Sequence, residues 1–397
     1  MKNNVKKHRW TLIAAGVLAV LSLLCFLSWR RLSGLLDSQK GAELWRGEDE
    51  MEFCQVSAFM PVDEKLTLTQ IYTFRSDMNK KFHEAALDVD NENQLFCDAW
   101  CGFGKVKAAN GKRSGEVYAT AVDGDYFRLH PIKLISGSYL TQDDLMKDRV
   151  LLDEDTAWLL FGGTELSGMS FTIEGQPFVV AGVIEREDDK FSKRAYTGGM
   201  GIYMSYEAFM SLAAADIEAA VEDSVKDLVG DDTEDYTSTA SQAAVADMKG
   251  ISCYEAVMPQ PVKGYAYSVM SEKFPIGGGQ IVDNTDRYEF FTLLKMVKSL
   301  PSRSMHGSGI MYPYWENAAR GTEDRCMLLL IAGLALAMAP VALLIVLAAR
   351  YGKLGKERLS EDLLPTWREK AQEAVRIRQR RRWERQHGIT DGSEKKE

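Results

Sequence analysis

At 397 residues, with 57 Asp or Glu against 48 Lys or Arg, the chain has a net charge of −9 and room for two ordinary domains. The charge is unevenly divided: residues 10–349 hold 48 acidic and 30 basic residues, whereas residues 1–9 carry four basic residues and no acid, and residues 350–397 carry fourteen basic against nine acidic. An acidic middle with a net of −18 repels polyanions, which excludes nucleic acid as its partner.

From Trp10 to Trp29 the chain runs without a charge, and it does so again from Cys326 to Ala349. A helix rises about 1.5 Å per residue, so about twenty apolar residues cross a hydrocarbon core about 30 Å thick. Both runs, 10–29 and 326–349, therefore read as transmembrane helices in a lipid bilayer. The first follows Lys6, Lys7 and Arg9 as a cleaved signal would, but a signal's apolar core is about 7–15 residues and no small-x-small cleavage site follows Trp29, so a retained anchor is expected. Pro340 inside the second run is tolerable, because neighbouring helices satisfy the carbonyl it frees. The basic ends, 1–9 and 350–397, are expected in the cytoplasm by the positive-inside bias, with the central region outside the cell membrane; Arg30 and Arg31 argue weakly the other way.

Residues 30–50 read as a polar stalk, and residues 51–325 as the extracytoplasmic domain. Phe53 to Met60 alternates as a strand and stops at Pro61; Leu68, Ile71, Phe74, Met78 and Phe82 then recur at helical spacing. The same grammar returns at Cys253 to Met258, stopped by Pro259 and followed by Val262, Tyr265, Ala266, Val269 and Phe274. Two strand-helix units that cannot bury a sheet face alone predict one split βαβ subdomain assembled from residues 51–114 and 250–300. Between them, residues 115–212 read as a β-rich insert. Its strands are expected at Val117–Val122, Val150–Leu152, Ser170–Ile173, Pro177–Ile184 and Gly201–Met204, with a short helix from Glu154 to Phe161 closed by Gly162 and Gly163. The fold class is thus an α+β ectodomain between two transmembrane helices.

Residues 213–249 carry ten acidic and two basic residues and read as a solvated loop. A calcium site is the alternative, but Asp231, Asp232, Glu234 and Asp235 lack the alternating spacing and glycine of a calcium loop. Tyr312, Tyr314 and Trp315 fit an aromatic belt at the membrane surface, with a sugar or peptide subsite as the alternative. Residues 365–386 form a charged helical pattern around Arg376, Arg378, Arg380, Arg381 and Arg382, suited to solvent near the anionic leaflet or to a cytoplasmic partner.

The chemistry of a catalyst is missing. Gly102-Phe103-Gly104-Lys105 lacks the spacing and the Ser or Thr of a phosphate-binding loop and reads as a turn. His8, His83, His130, His306 and His387 are scattered, no zinc pattern occurs, and Gly307-Ser308-Gly309 is a loop tripeptide without a nucleophile elbow. No catalytic residue, metal or cofactor is expected. Four cysteines fall outside the spans in a compartment that permits disulfides. Cys97 and Cys101 can close if their segment is a loop but not without strain in a helix. Cys54 and Cys253 occupy equivalent places in the repeat and can bond if those strands are neighbours.

In order along the chain stand DGDYF (123–127), LISGSYL (134–140), VLLDEDTAWLLFGG (150–163), SGMSFTIEGQPFVVAGVIE (167–185) and GIYMSYEAF (201–209). This ordered set resembles the periplasmic core domain of MacB-type permeases in the MacB and FtsX-like ABC transporter group. The resemblance implies a porter-like subdomain for the flanking repeat and a sabre-like one for the insert. It also implies a separate ATPase. That family's permeases continue after the ectodomain with three further spans, whereas one apolar run follows here, so a multi-span permease partner is expected as well. The function implied is that of a permease-like subunit that transmits motion; the alternative is a membrane-anchored scaffold or binding module.

Overall fold

The computed structural model describes residues 2–46, 51–87, 95–187, 190–195, 199–212, 250–298, 309–358 and 364–386. The acidic segment 213–249 and residues 307 and 308 of the Gly-Ser-Gly tripeptide lie outside them, as do His306 and His387. In chain order come α1 (Lys2–Ser33), α2 (Gly41–Arg46), β1 (Phe53–Phe59), α3 (Leu68–Glu84), β2 (Cys97–Asn110), β3 (Arg113–Gly124) and α4 (Tyr126–Leu129). Then follow β4 (Leu134–Gly137), β5 (Arg149–Asp153), α5 (Glu154–Leu160), β6 (Ser170–Ile173), β7 (Gln176–Ile184), α6 (Lys190–Ala195) and β8 (Gly201–Ser205). The last elements are β9 (Cys253–Pro259), α7 (Tyr265–Lys273), β10 (Gln280–Asp283), α8 (Phe290–Met296), α9 (Tyr314–Arg358) and α10 (Leu364–Gln386). Two compact units result, Trp29–Leu328 and a second made of Met1–Ser28 with Leu329–Glu397.

The second unit holds the apolar parts of α1 and α9, the two helices long and apolar enough to cross a membrane among the described residues. Their large side chains face outward, with Val20, Leu23, Leu344 and Ile345 all more than half exposed, as lipid-facing positions require. Where the two helices meet, small residues let the backbones approach. The Ser22 hydroxyl donates to the Gly333 carbonyl at 2.8 Å, and a Cβ on Gly333 would stand 3.3 Å from both Cys25 Cβ and the Phe26 ring.

The larger unit is built on one ten-stranded sheet of order β10-β1-β9-β2-β3-β8-β5-β7-β4, with β6 bridging β2 and β7. Its first four strands interleave two split βαβ units. Strand β9 runs antiparallel between β1 and β2, and β1 runs antiparallel between β10 and β9, so β1-α3-β2 and β9-α7-β10 share one sheet. The two halves of the sequence repeat therefore pair directly, Val56 opposite Ala256. The long hairpin of β2 and β3 carries the insert, in which β8 joins β3 in parallel and β5 joins β7 in parallel. The β6–β7 hairpin turns at Glu174-Gly175, whose φ values of 47° and 78° suit the two-residue turn that matches strand twist.

One face of the sheet is covered by α3 and α7. Helix α3 starts at Thr67, whose hydroxyl accepts from the Gln70 backbone while the Gln70 side chain returns to the Thr67 N–H. It buries Ile71, Phe74, Met78 and Phe82 at helical spacing, each contributing roughly 1.5–3 kcal/mol by burial. Arg75 on the same helix makes two hydrogen bonds of 2.7 and 2.5 Å to the buried Asp98, which also accepts from Tyr254.

Three sequence-based expectations give way here. Gly102 to Lys105 is no turn but the middle of β2, and its glycines answer close approaches: a Cβ at Gly102 would lie 2.8 Å from the Gly250 carbonyl oxygen, and one at Gly104 2.5 Å from the Phe209 ring. Cys97 and Cys101 sit four residues apart on that same strand, about 13 Å by strand rise, too far to bond. Cys54 faces Met258 and Cys253 faces Phe59, so the expected Cys54–Cys253 pair stands at opposite ends of the β1–β9 ladder, about 17 Å apart and on opposite sheet faces.

Candidate functional site

In a two-layer split βαβ domain the second sheet face commonly meets water. Here it is covered by α2, α4 and the first turns of α9. The Gly41 N–H at the start of α2 donates to the Gln55 side chain at 3.0 Å, so part of the segment read as a stalk lies against the sheet. The central strands answer this second layer with polar residues: Gln55 and Ser57 on β1 and Glu255 on β9 all point into it and all are buried.

Those residues begin a continuous buried polar chain. His130, just after α4, places Nε2 against a Glu255 carboxylate oxygen. The other oxygen accepts from the Ser57 hydroxyl at 2.6 Å, and Ser57 in turn accepts from the Asn284 side-chain amide at 2.6 Å. Arg287 donates to the Asn284 carbonyl oxygen at 3.2 Å and to Gln39 at 3.1 Å. Its guanidinium then grips Glu316 of α9 through two bonds of 2.7 and 2.6 Å and reaches Glu323 two turns on. Arg320, one turn after Glu316, closes the set at 2.7 Å.

Burial alone would lower the Arg287 pKa, but the carboxylate of Glu316 more than offsets it and holds that pKa above its ordinary value. A buried pair of this kind contributes little net stability compared with an apolar pair, yet it costs several kcal/mol to break, because one partner is left charged and dry. The chain thus fixes the start of α9 in one register against β1 and β9. Trp315 does the same by packing: 1% exposed, it meets His130 at 4.6 Å, Tyr126 at 5.9 Å and Phe103 at 6.0 Å between ring centroids. The expected membrane belt is therefore corrected. Trp315 and Tyr312 are core residues of the larger unit, and Tyr312 packs edge-on against Phe59 at 5.3 Å.

Beside this cluster the sheet opens a cleft of about 430 Å³. Phe103, Tyr118, Tyr203 and Tyr314 line it, with Lys65 and Arg186 among its charged residues. The Arg186 charge is matched by Asp153, which also accepts from the Gly201 N–H at 2.5 Å and caps α5 through Thr156 at 2.7 Å. Lys65 donates to the Ser252 hydroxyl at 2.8 Å, and burial pulls its ammonium below the ordinary pKa. Among the described residues no group of three His, Cys, Asp or Glu side chains converges as metal ligands.

Sequence reasoning did not find Arg287, Glu316 or His130 as partners. Two of them lie in segments with no period to read, and the third opens a helix whose apolar continuation dominates the pattern. Nor did it bring together Cys101 and Cys253, which stand directly opposite each other on β2 and β9.

Residues 68–246 match the family model of the MacB-like periplasmic core domain. Among solved structures the chain is similar to the extracellular domain of the noncanonic ABC-type transporter YknZ from Gram-positive bacteria, at 14% identity over 58% of this chain and 99% of that one, with a TM-score of 0.33. It is also similar to the periplasmic region of MacB from Actinobacillus actinomycetemcomitans, at 13% identity over 66% of this chain and 99% of that one, with a TM-score of 0.35. No curated protein matches the chain.

Proposed function

We propose, because residues 68–246 carry a MacB-like periplasmic core domain, that the chain is a permease-like membrane subunit of an ABC transport system. Its ectodomain stands outside the cytoplasm, both ends lie inside, and it works with a separate ATPase and a multi-span permease. The placement of that domain between two apolar helices is the observation that carries the reading. The two apolar helices among the described residues do not enclose a pore, and the chain's part is to transmit motion. Helix α9 suits that role, since it is unbroken from Tyr314 to Arg358 and its first turns are held to the sheet by the Arg287 cluster.

The aromatic cleft favours a second reading, a membrane-anchored binding module that acts without transport. Both are tested by tagging the C-terminus, extracting the membranes in mild detergent and measuring what co-purifies, with stoichiometry. An ATPase and a multi-span permease in near-integral ratio support the transport subunit. Recovery alone, or with partners of the outer face only, refutes it in favour of the binding module.

A further inference from the structure

We infer that Cys101 and Cys253 form a disulfide that joins β2 to β9 in the mature protein. The two are cross-strand partners in the antiparallel ladder. Residues placed directly opposite in such a ladder have Cα atoms about 4.5–5.5 Å apart, inside the range of about 4.4–6.8 Å that a disulfide spans without moving the backbone. Both thiols lie on the same sheet face, in the layer beneath α4 and the first turns of α9. The remaining cysteines of β1 and β2 are out of reach. Cys54 sits on the opposite face, where its thiol meets Asp283 at 3.3 Å, and Cys97 shares the face of Cys101 but lies four residues before it on β2, about 13 Å by strand rise.

The inference rests on the extracytoplasmic placement of the domain, since the bond needs an oxidant. The two thiols lose two protons and two electrons as the sulfur–sulfur bond forms. An organic disulfide of the outer compartment accepts both, its own bond breaking to give two thiols. Cys101 and Cys253 are 2% and 1% exposed in the folded domain, so the exchange belongs to the folding chain, and the finished bond is shielded from reductants. Its effect is to staple both stems of the insert. Everything between residues 101 and 253 becomes a closed loop whose two ends are one covalent point.

The turn at Leu145, 98% exposed, offers the test. A recognition site for a membrane-impermeant protease is inserted between Leu145 and Met146 of the full chain, free thiols are blocked with maleimide, and protease is added to intact cells. Cleavage separates Cys101 from Cys253. On denaturing gels the two fragments should then migrate as one species without reductant and as two with it. Cys101→Ser or Cys253→Ser should give two species in both lanes. Cleavage from outside with separate fragments in both lanes overturns the disulfide and leaves the placement standing. Fragments that remain joined in Cys101→Ser assign the bond to another pair and also overturn it. Cleavage only after the cells are opened, with separate fragments, means the placement itself has failed and takes the disulfide with it.

Discussion

Arg287 and Glu316 face each other through two hydrogen bonds of 2.6 and 2.7 Å, with side chains 3% and 1% exposed. They come from a loop after β10 and from the first turn of α9, so their contact decides where that helix starts relative to the sheet. Arg287→Met removes the guanidinium that binds both buried carboxylates, Glu316 and Glu323, and leaves Glu316 its bond to Arg320. It should destabilise the full chain by about 3–5 kcal/mol, read as a fall in the thermal midpoint in detergent. Arg128→Met, a largely exposed side chain paired with Asp125 at 3.6 Å, should change it by less than about 1 kcal/mol. Equal effects would mean that the buried cluster is not what holds α9.

The glycines of β2 separate a strand from a turn. Gly102→Ala drives a methyl against the Gly250 backbone carbonyl, which cannot rotate away, and should cost about 1–3 kcal/mol. Gly163→Ala meets nothing within 4 Å and should stay within about 0.5 kcal/mol of the parent. Thermal unfolding of the two variants side by side checks the contrast.

Asp123, at the end of β3, accepts from the Gly124 N–H at 2.8 Å, yet burial pushes its carboxyl pKa above the ordinary value. The folded state therefore keeps this proton to higher pH than the unfolded state. The stability it contributes is full below the ordinary carboxylate range and is lost as pH rises through the raised value. Asp123→Asn mimics the protonated form. Its thermal midpoint should match the parent at about pH 3.5 and exceed it at about pH 7; a midpoint below the parent at neutral pH would refute the assignment.

The helix crossing in the apolar unit makes a covalent prediction. A Cβ at Gly333 would lie 3.3 Å from Cys25 Cβ, close to the distance across a disulfide. Gly333→Cys should cross-link to Cys25 in membranes under mild oxidation and change gel mobility without reductant. Gly333→Cys combined with Cys25→Ser should not.

Much of this fold was legible in the sequence wherever a period ran uninterrupted. The strand at Cys253 to Met258, the helix faces at Ile71, Phe74 and Met78, and the chain positions of the insert's strands at Val150–Leu152, Ser170–Ile173 and Gly201–Met204 follow from local rules, whereas the order in which those strands join the sheet does not. The failures share a cause. Gly102 and Gly104 look like turn residues because glycine is permissive, and only the neighbours they admit, the Gly250 carbonyl and the Phe209 ring, show that they serve a crowded strand. Trp315 looks interfacial because it precedes an apolar run, and only the second layer over the sheet shows it to be core. The polar chain from His130 to Glu316 joins residues 186 positions apart, and no spacing announces it.

The interleaving of the two split units sets a timetable for the chain as it leaves the ribosome. Strand β1 is flanked in the finished sheet by β9 and β10, and the nearer of these begins at Cys253. For most of translation β1 has no partner, so it waits unpaired while the insert, whose β2–β3 and β6–β7 hairpins are local, closes early. Completion of the flanking subdomain is consequently a late event, reached only when the chain has been made through β10. An unfinished or truncated chain would show the cell a bare strand edge, the feature most prone to aggregation and most readily seized by quality-control proteases.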